Sequence, residues 1–423
     1  AAAPSPAAPA EPATARPAPP SVPVKLSDDP RPSYGPETFM ATLKAAERYR
    51  EIAESGGWPS VPNDATRLKS GDRGPVVAAL RARLAAEGDL DPSERGGASF
   101  DAGLAAALRR FQLRHGLEET GLVGPRTLVQ LNVPAAARLR QLQASASRLL
   151  GSRFAFGERY VTVNIPSASV EAVEGGSVRR RYVAVVGKPD RASPAVETRV
   201  TSINFNPTWT VPVSLIRKDI IPHVRKDPGY LARMKIRLFD GQGREVDPAT
   251  IDWSTERAVN YTVRQDAGFE NSLGEIRIDM PNRHAVYMHD TPSKRLFARD
   301  RRAQSSGCVR VSGVKELAGW LLEGTPAAAG GGASWGPMDI ETAIAGGKRV
   351  DVRLSKPVPV AWVYLTGYAG PDGAAHFRDD IYGLDDPAQA PPAPDGATAK
   401  PAPTAARLQP DDLVTSSIRA AAR

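Results

Sequence analysis

One residue in this 423-residue chain asks for a chemical explanation: Cys308, its only cysteine, in a chain with five histidines. A free Cys is by default a small buried hydrophobe. Its surroundings point elsewhere. His289-Asp290-Thr291-Pro292-Ser293 is followed by Ser305-Ser306-Gly307-Cys308-Val309-Arg310-Val311. A thiol of ordinary pKa, about 8.5, is mostly protonated at neutral pH and needs a base or a positive neighbour to attack. The eighteen residues between His289 and Cys308 let the chain double back and bring imidazole to sulfur. Ser305, Ser306 and Gly307 are small residues of a tight loop, where Gly allows a φ that others avoid and backbone N–H groups can converge on an oxyanion, each worth on the order of 3 kcal/mol. Arg310 falls two residues after Cys308, on the same side of an extended segment. There it either raises the thiolate fraction or holds a carboxylate; the bland alternative is a surface ion pair.

The other histidines carry less. His284 would face away from His289 on a shared strand, so a common metal is not expected, and His223 and His376 stand alone. His115, near a helix end, reads as a capping or surface residue. A single Cys excludes an internal disulfide and a Cys-rich zinc site, and no His-Glu-x-x-His run occurs. No metal and no cofactor is expected.

The elements that must position this pair follow from periodicity. From about Phe154 the period is two: Val161–Ile165, Ala168–Val173, Tyr182–Val186 and Arg199–Phe205 read as a β-meander, with later strands at Gly274–Met280, His284–His289, Arg349–Leu354 and Val358–Leu365. After Val311, Ser312 suits a helix N-cap, and Val314, Leu317, Ala318 and Leu321 have helical spacing, which pins the cysteine loop between strand and helix. Residues 207–270 interrupt the strands with Trp209, Pro212 and a helical pattern near Ser214–Val224. That span is too long for a loop and reads as a lid, or else as a subdomain covering an edge strand. Upstream, residues 66–133 read as three helices carrying Val77, Leu80 and Leu84, then Leu104, Leu108 and Phe111, then Leu128 and Leu131 after Gly124-Pro125. Helical segments in 27–65 and 134–152 bracket this unit like a scaffold into which it is inserted. The Pro- and Ala-rich ends, 1–26 and 385–423, have a composition that cannot repay ordering and read as a disordered arm and tail.

The formal charge of +8 suits nucleic acid, an anionic membrane surface or an acidic polymer. Basic residues are interleaved with acidic ones, as in Arg217-Lys218-Asp219, with no aromatic-laced basic stripe, which argues against nucleic acid. No run of eighteen apolar residues exists to span a membrane. The start, Ala1-Ala2-Ala3-Pro4-Ser5-Pro6, reads either as the remainder of a cleaved export signal or as an arbitrary boundary.

Two stretches resemble known families. Leu68-Lys69-Ser70-Gly71-Asp72-Arg73-Gly74, Phe100-Asp101, Ala107-Leu108-Arg109-Arg110-Phe111-Gln112, His115-Gly116-Leu117 and Thr120–Leu128 resemble a helical peptidoglycan-binding domain; a helical spacer of equal size is the alternative. The His289 and Ser305–Val311 block, with Asn206–Pro212, Asp247–Trp253, Met280–Asn282, Tyr287–Thr291 and Phe377–Gly383, resembles the L,D-transpeptidase catalytic domain of the YkuD family, of the large lid-bearing kind. Ser306 departs from it, since many members have His there. The resemblance implies a multidomain α + β protein, with a β-rich catalytic domain at 153–384 and no cofactor. It implies Cys308 as nucleophile, His289 as proton donor and acceptor, Gly307 as an oxyanion donor, and Arg310, Ser305, Ser306, Tyr287 and Trp209 as substrate contacts. Its partners would be peptidoglycan stem peptides and glycan, its place the periplasm or wall, and its product a cross-link between diaminopimelate residues. The same thioester could instead attach a protein or cleave cross-links. A zinc peptidase lacks ligands here, and a non-catalytic wall-binding protein does not account for His289 with Cys308.

Overall fold

A computed structural model describes residues 26–327 and 334–386. The expected arm and tail lie outside these residues, apart from Leu26, Asp385 and Asp386.

The helical part begins with α1 (Thr38–Glu54), whose buried Thr38, Thr42, Ala45, Ala46 and Tyr49 form one face. Next come α2 (Pro75–Glu87), α3 (Ala102–Arg114) and α4 (Pro125–Leu131) around Val77, Leu80, Leu84, Leu104, Leu108 and Phe111. Pro at the first position starts α2 and α4, where its missing N–H costs nothing, and Asp101 caps α3 by accepting from the Leu104 amide at 2.8 Å. Helix α5 (Ala135–Leu149) returns to pack on α1, and both clasp a short hairpin, Gly367–Ala369 with Ala375–Phe377. The hairpin comes close enough that a Cβ on Gly367 would sit 2.9 Å from the α5 backbone.

The β part is a mixed nine-stranded sheet. Its strands are β1 (Arg159–Asn164), β2 (Ser169–Glu174), β3 (Ser177–Gly187), β4 (Val196–Phe205), β5 (Ile276–Asp279), β6 (Met288–His289), β7 (Ala303–Ser305), β8 (Val309–Val311) and β9 (Val350–Val363). They lie in the order β7-β3-β8-β6-β5-β4-β9-β1-β2, and β2 pairs again with β3, so the sheet closes on itself. Three pairings are parallel, β1 with β9, β6 with β8 and β7 with β3. A meander is therefore only part of the topology. Val161, Val163, Val170, Ile203, Phe205, Ile278, Met288 and Val309 share one core with the helix Val314–Leu322, as period-two burial requires.

Two strand expectations change. The run to His289 is extended only at Met288–His289: the Asn282 side chain ties the turn before it, accepting from the His284 amide at 3.0 Å and donating to the Val286 carbonyl at 2.7 Å, and Ala285 has φ 52. His284 is thus on an exposed turn, and the argument from opposite strand faces does not apply. The segments at 349–354 and 358–365 form the single strand β9, with a shift of register between Arg353 and Val358 around Pro357, which has no N–H to give.

Residues 209–265 hold a small antiparallel sheet of their own, in the order Trp209–Thr210, Thr262–Gln265, Ile236–Phe239, Glu245–Val246. Its core contains Val211, Ile216, Ile220, Val224, Leu231, Leu238 and Val263. The helical run Val213–Lys226 passes through a π-turn at Ile216–Ile220 just before Pro222, which breaks the regular ladder by lacking a donor.

Candidate active site

Strands β6 and β8 bring the two candidate residues together. They pair in parallel with Met288 opposite Val309 and His289 opposite Arg310, and the Val309 amide donates to the Tyr287 carbonyl at 3.1 Å. Side chains alternate, so Met288 and Val309 enter the core while Tyr287, His289, Cys308 and Arg310 share the other face. Strand β5 adds Arg277 opposite His289. Cys308 and His289 are diagonal neighbours across adjacent strands.

The imidazole tautomer follows from one contact. His289 is 5% exposed and its Nδ1 hydrogen-bonds the Asp290 carbonyl, which can only accept. Nδ1 therefore carries the proton, and Nε2 keeps its lone pair. Burial, and then the nearby Arg310 charge, pull the imidazole pKa down to about 3, against the Asp290 bond. The partly exposed Cys308 thiol is pushed up to about 11 by burial, opposed by Tyr287, Arg277 and Arg310. At neutral pH the pair is thiol and neutral imidazole.

Arg310 answers the question of its ion pair. Among the described residues it has no acidic partner, and its buried Nε makes no hydrogen bond. Burial lowers its pKa, with Cys308 acting the other way. An uncompensated guanidinium two residues from the thiol is ready for an anionic ligand.

The cysteine turn is held from several sides. Gly307 has φ 115, the left-handed region that favours glycine. Its amide donates to Ser305 Oγ at 3.2 Å, and that hydroxyl donates to the Cys308 carbonyl at 2.5 Å. Ser305 is 2% exposed, so its hydroxyl shapes the turn and does not reach open solvent. The Gly307 N–H is likewise committed, whereas the Cys308 amide has no acceptor among the described residues. Ser193 Oγ donates to the Gly307 carbonyl at 2.7 Å and accepts from the Gly187 amide at 2.9 Å. Tyr382 donates to the Gly187 carbonyl at 2.6 Å and accepts from the Ser193 amide at 3.1 Å.

Ser306 is exposed and accepts a hydrogen bond from Arg191 Nη1 at 3.1 Å. Arg191 also makes a two-pronged pair with Asp219 of the inserted subdomain, at 2.6 and 2.9 Å. Trp209 lies at the start of that subdomain, and its indole and the Cys308 thiol both interact with Tyr287, whose own pKa is raised chiefly by burial. A cleft of about 330 Å³ opens beside the turn, walled by Arg191, Leu215, Lys218, His284, Ser306 and Gly307 among others.

Sequence reasoning missed Arg191, Ser193, Asp219, Arg277 and Tyr382. Arg277 had a signal, since Ile276-Arg277-Ile278-Asp279 alternates with its charges on the candidate face. The others act through contacts between distant segments. His115 is the C-cap residue of α3, as a capping residue would be, but it is not on the surface: it is 4% exposed, its Nδ1 hydrogen-bonds the Phe111 carbonyl at 2.7 Å, and it is stacked on Phe111 at 3.8 Å and near Phe377 at 5.4 Å, because α3 ends against the clasped hairpin. No group of three or more His, Cys, Asp or Glu able to hold a metal occurs among the described residues.

Residues 158–328 match the model of the L,D-transpeptidase catalytic domain, YkuD, and residues 73–131 match that of a "Putative peptidoglycan binding domain". A curated protein of Haemophilus influenzae described as a "Putative L,D-transpeptidase" is 35% identical over 226 residues, 53% of this chain and 44% of that protein. The match thus spans less than half of the relative's length. Among solved structures, an L,D-transpeptidase (Yku) from Stackebrandtia nassauensis is 13% identical over 72% of this chain and 96% of its own, with a TM-score of 0.26. Residues 123–326 of an L,D-transpeptidase from Xylanimonas cellulosilytica are 19% identical over 62% and 91%, with a TM-score of 0.21. By its two family matches, the chain carries an L,D-transpeptidase catalytic domain of the YkuD family, preceded by a peptidoglycan-binding domain on helices α2 to α4.

Proposed function

We propose that the chain is an exported wall enzyme that cross-links peptidoglycan between diaminopimelate residues through a thioester on Cys308. The observation that carries this reading is the in-register parallel pairing of β6 with β8, which sets His289 and Cys308 on one face beside the unpaired Arg310. Cys308 Sγ attacks the carbonyl carbon of the L,D peptide bond while His289 Nε2 takes the thiol proton. As the tetrahedral centre collapses, the C–N bond breaks, the imidazolium returns the proton to the leaving amine, and a thioester remains. An amine of a second stem then attacks; its proton passes by way of His289 to the departing thiolate, and thiol and amide are formed. The free Cys308 amide is the best-placed oxyanion donor, and Gly307 joins it if its bond to Ser305 opens. Arg310 takes a substrate carboxylate.

The subdomain within 207–270 acts as a lid that admits the acceptor and limits water. The helical unit holds glycan. Passage of the acyl group to a protein amine or to water follows from the same thioester and is separated by the products.

Incubating the full chain with purified muropeptides and weighing the intact protein tests the scheme. An acyl adduct on Cys308, with dimers among the products, is expected. Cys308→Ala should lose both while keeping its circular dichroism and wall binding. Dimers formed by that variant would sink the reading.

A further inference from the structure

The cleft beside Ser306–Gly307 has a lopsided charge. Arg191 and Lys218 line it, and no Asp or Glu does. Arg191 is already matched by its fork on Asp219 and its bond to Ser306. The neighbouring Arg217 is also committed, to Glu256 at 2.9 Å. Lys218 makes no ion pair or hydrogen bond among the described residues. Lys218 is solvent-exposed at the rim of this cleft, so its ammonium is open to a ligand that enters from outside. It sits in the same helical run as Asp219, so the Arg191 fork fixes the segment from which it reaches.

We propose that Lys218 is a substrate-recognition residue, whose ammonium takes a carboxylate of the donor peptide lying along the cleft toward Cys308. This rests on the reading of Cys308 as the residue acylated by a wall peptide. Lys218 is then the lid's contribution to binding: a donor lacking the carboxylate gains nothing from it. Two carboxylates of the proposed donor share this chemistry, that of the terminal D-residue and that of the diaminopimelate side chain.

The test is binding by full-length Cys308→Ala, in which no acyl transfer can follow. Three synthetic tetrapeptides are titrated calorimetrically: one with both carboxylates free, one amidated at the terminus, one amidated at the diaminopimelate side chain. One of the two amides should bind about tenfold more weakly than the free peptide, the scale of a lost charge-assisted hydrogen bond. Adding Lys218→Ala should weaken the free peptide by a similar factor and abolish its advantage over that amide. Adding Arg217→Ala should change neither. Failure of the free peptide to bind, an advantage that survives Lys218→Ala, or a uniform weakening of all three peptides overturns the proposal. The parent reading is scored separately by the Cys308 adduct in the unsubstituted chain: an adduct without discrimination rejects the lysine site alone, and discrimination without an adduct rejects the transpeptidase alone.

Discussion

At the scale of residues, the resting pair is uncharged, unlike the thiolate–imidazolium pair of many cysteine nucleophiles. Alkylation by iodoacetamide should therefore keep rising through pH 8 to 10, about tenfold per unit, with no plateau near neutrality, as measured by the mass of the labelled chain. A plateau by pH 8 would contradict the buried thiol. Arg310 also holds the imidazole pKa down. In Arg310→Gln the His289 pKa rises toward its ordinary value near 6.5, so the acid limb of the kcat/KM profile should move to higher pH. A loss of activity at every pH with no shift of that limb would leave Arg310 only a binding role.

At the scale of elements, the site depends on two contacts between segments far apart in the chain. Asp219 is the fork through which the inserted helical run meets Arg191 and, beyond it, the Ser306 turn. Asp219→Asn should speed amide exchange across 213–226 severalfold, read by mass spectrometry, while β4 and β9 stay as protected as before. Equal protection of 213–226 in both proteins would show that the fork does not hold the inserted helical run. Tyr382 satisfies a carbonyl and an amide of the segment that braces Gly307. Tyr382→Phe leaves both without their partner, so a loss of about 1–3 kcal/mol in urea unfolding is expected, with a larger drop in kcat than in wall binding.

At the scale of the whole molecule, polar contacts tie the helical unit to α1 and to the hairpin and the segment that follow β9. Tyr49 of α1 donates to Glu87 at 2.8 Å, Arg83 pairs with Glu87 at 2.8 Å, and Arg114 bonds both Asp89 and the Ala375 carbonyl. Arg378 donates to the Arg114 carbonyl at 2.8 Å, and Gln130 to Asp379 at 2.9 Å. Fold stability should depend on acid through this interior. His115, His289 and His376 all have folded-state pKa values lowered, chiefly by burial, below the ordinary 6.5. Unfolding then takes up protons: their contribution is complete above pH 6.5 and is lost as pH falls, by up to about 1.4 kcal/mol per unit for each histidine. The urea midpoint should drop steadily from pH 6.5 to 4.5. Constancy over that window would contradict the neutral buried imidazoles.

Local spacing by itself marked the candidate nucleophile and set most elements. Cys308 between Gly307 and Arg310, the three- and four-residue apolar steps of α2 and α3, and the alternation of β1 all depend on neighbours within a turn or a strand. Those preferences are written in consecutive residues, so a sequence alone displays them. Tertiary structure decided the rest: the pairing of β9 with β1 and β4, the register that sets His289 and Cys308 on one face, the burial of His115 against Phe377 and, among the described residues, the lack of an acidic partner for Arg310. Each depends on segments far apart in the chain, brought together by many weak contacts at once. No single stretch of residues specifies that sum.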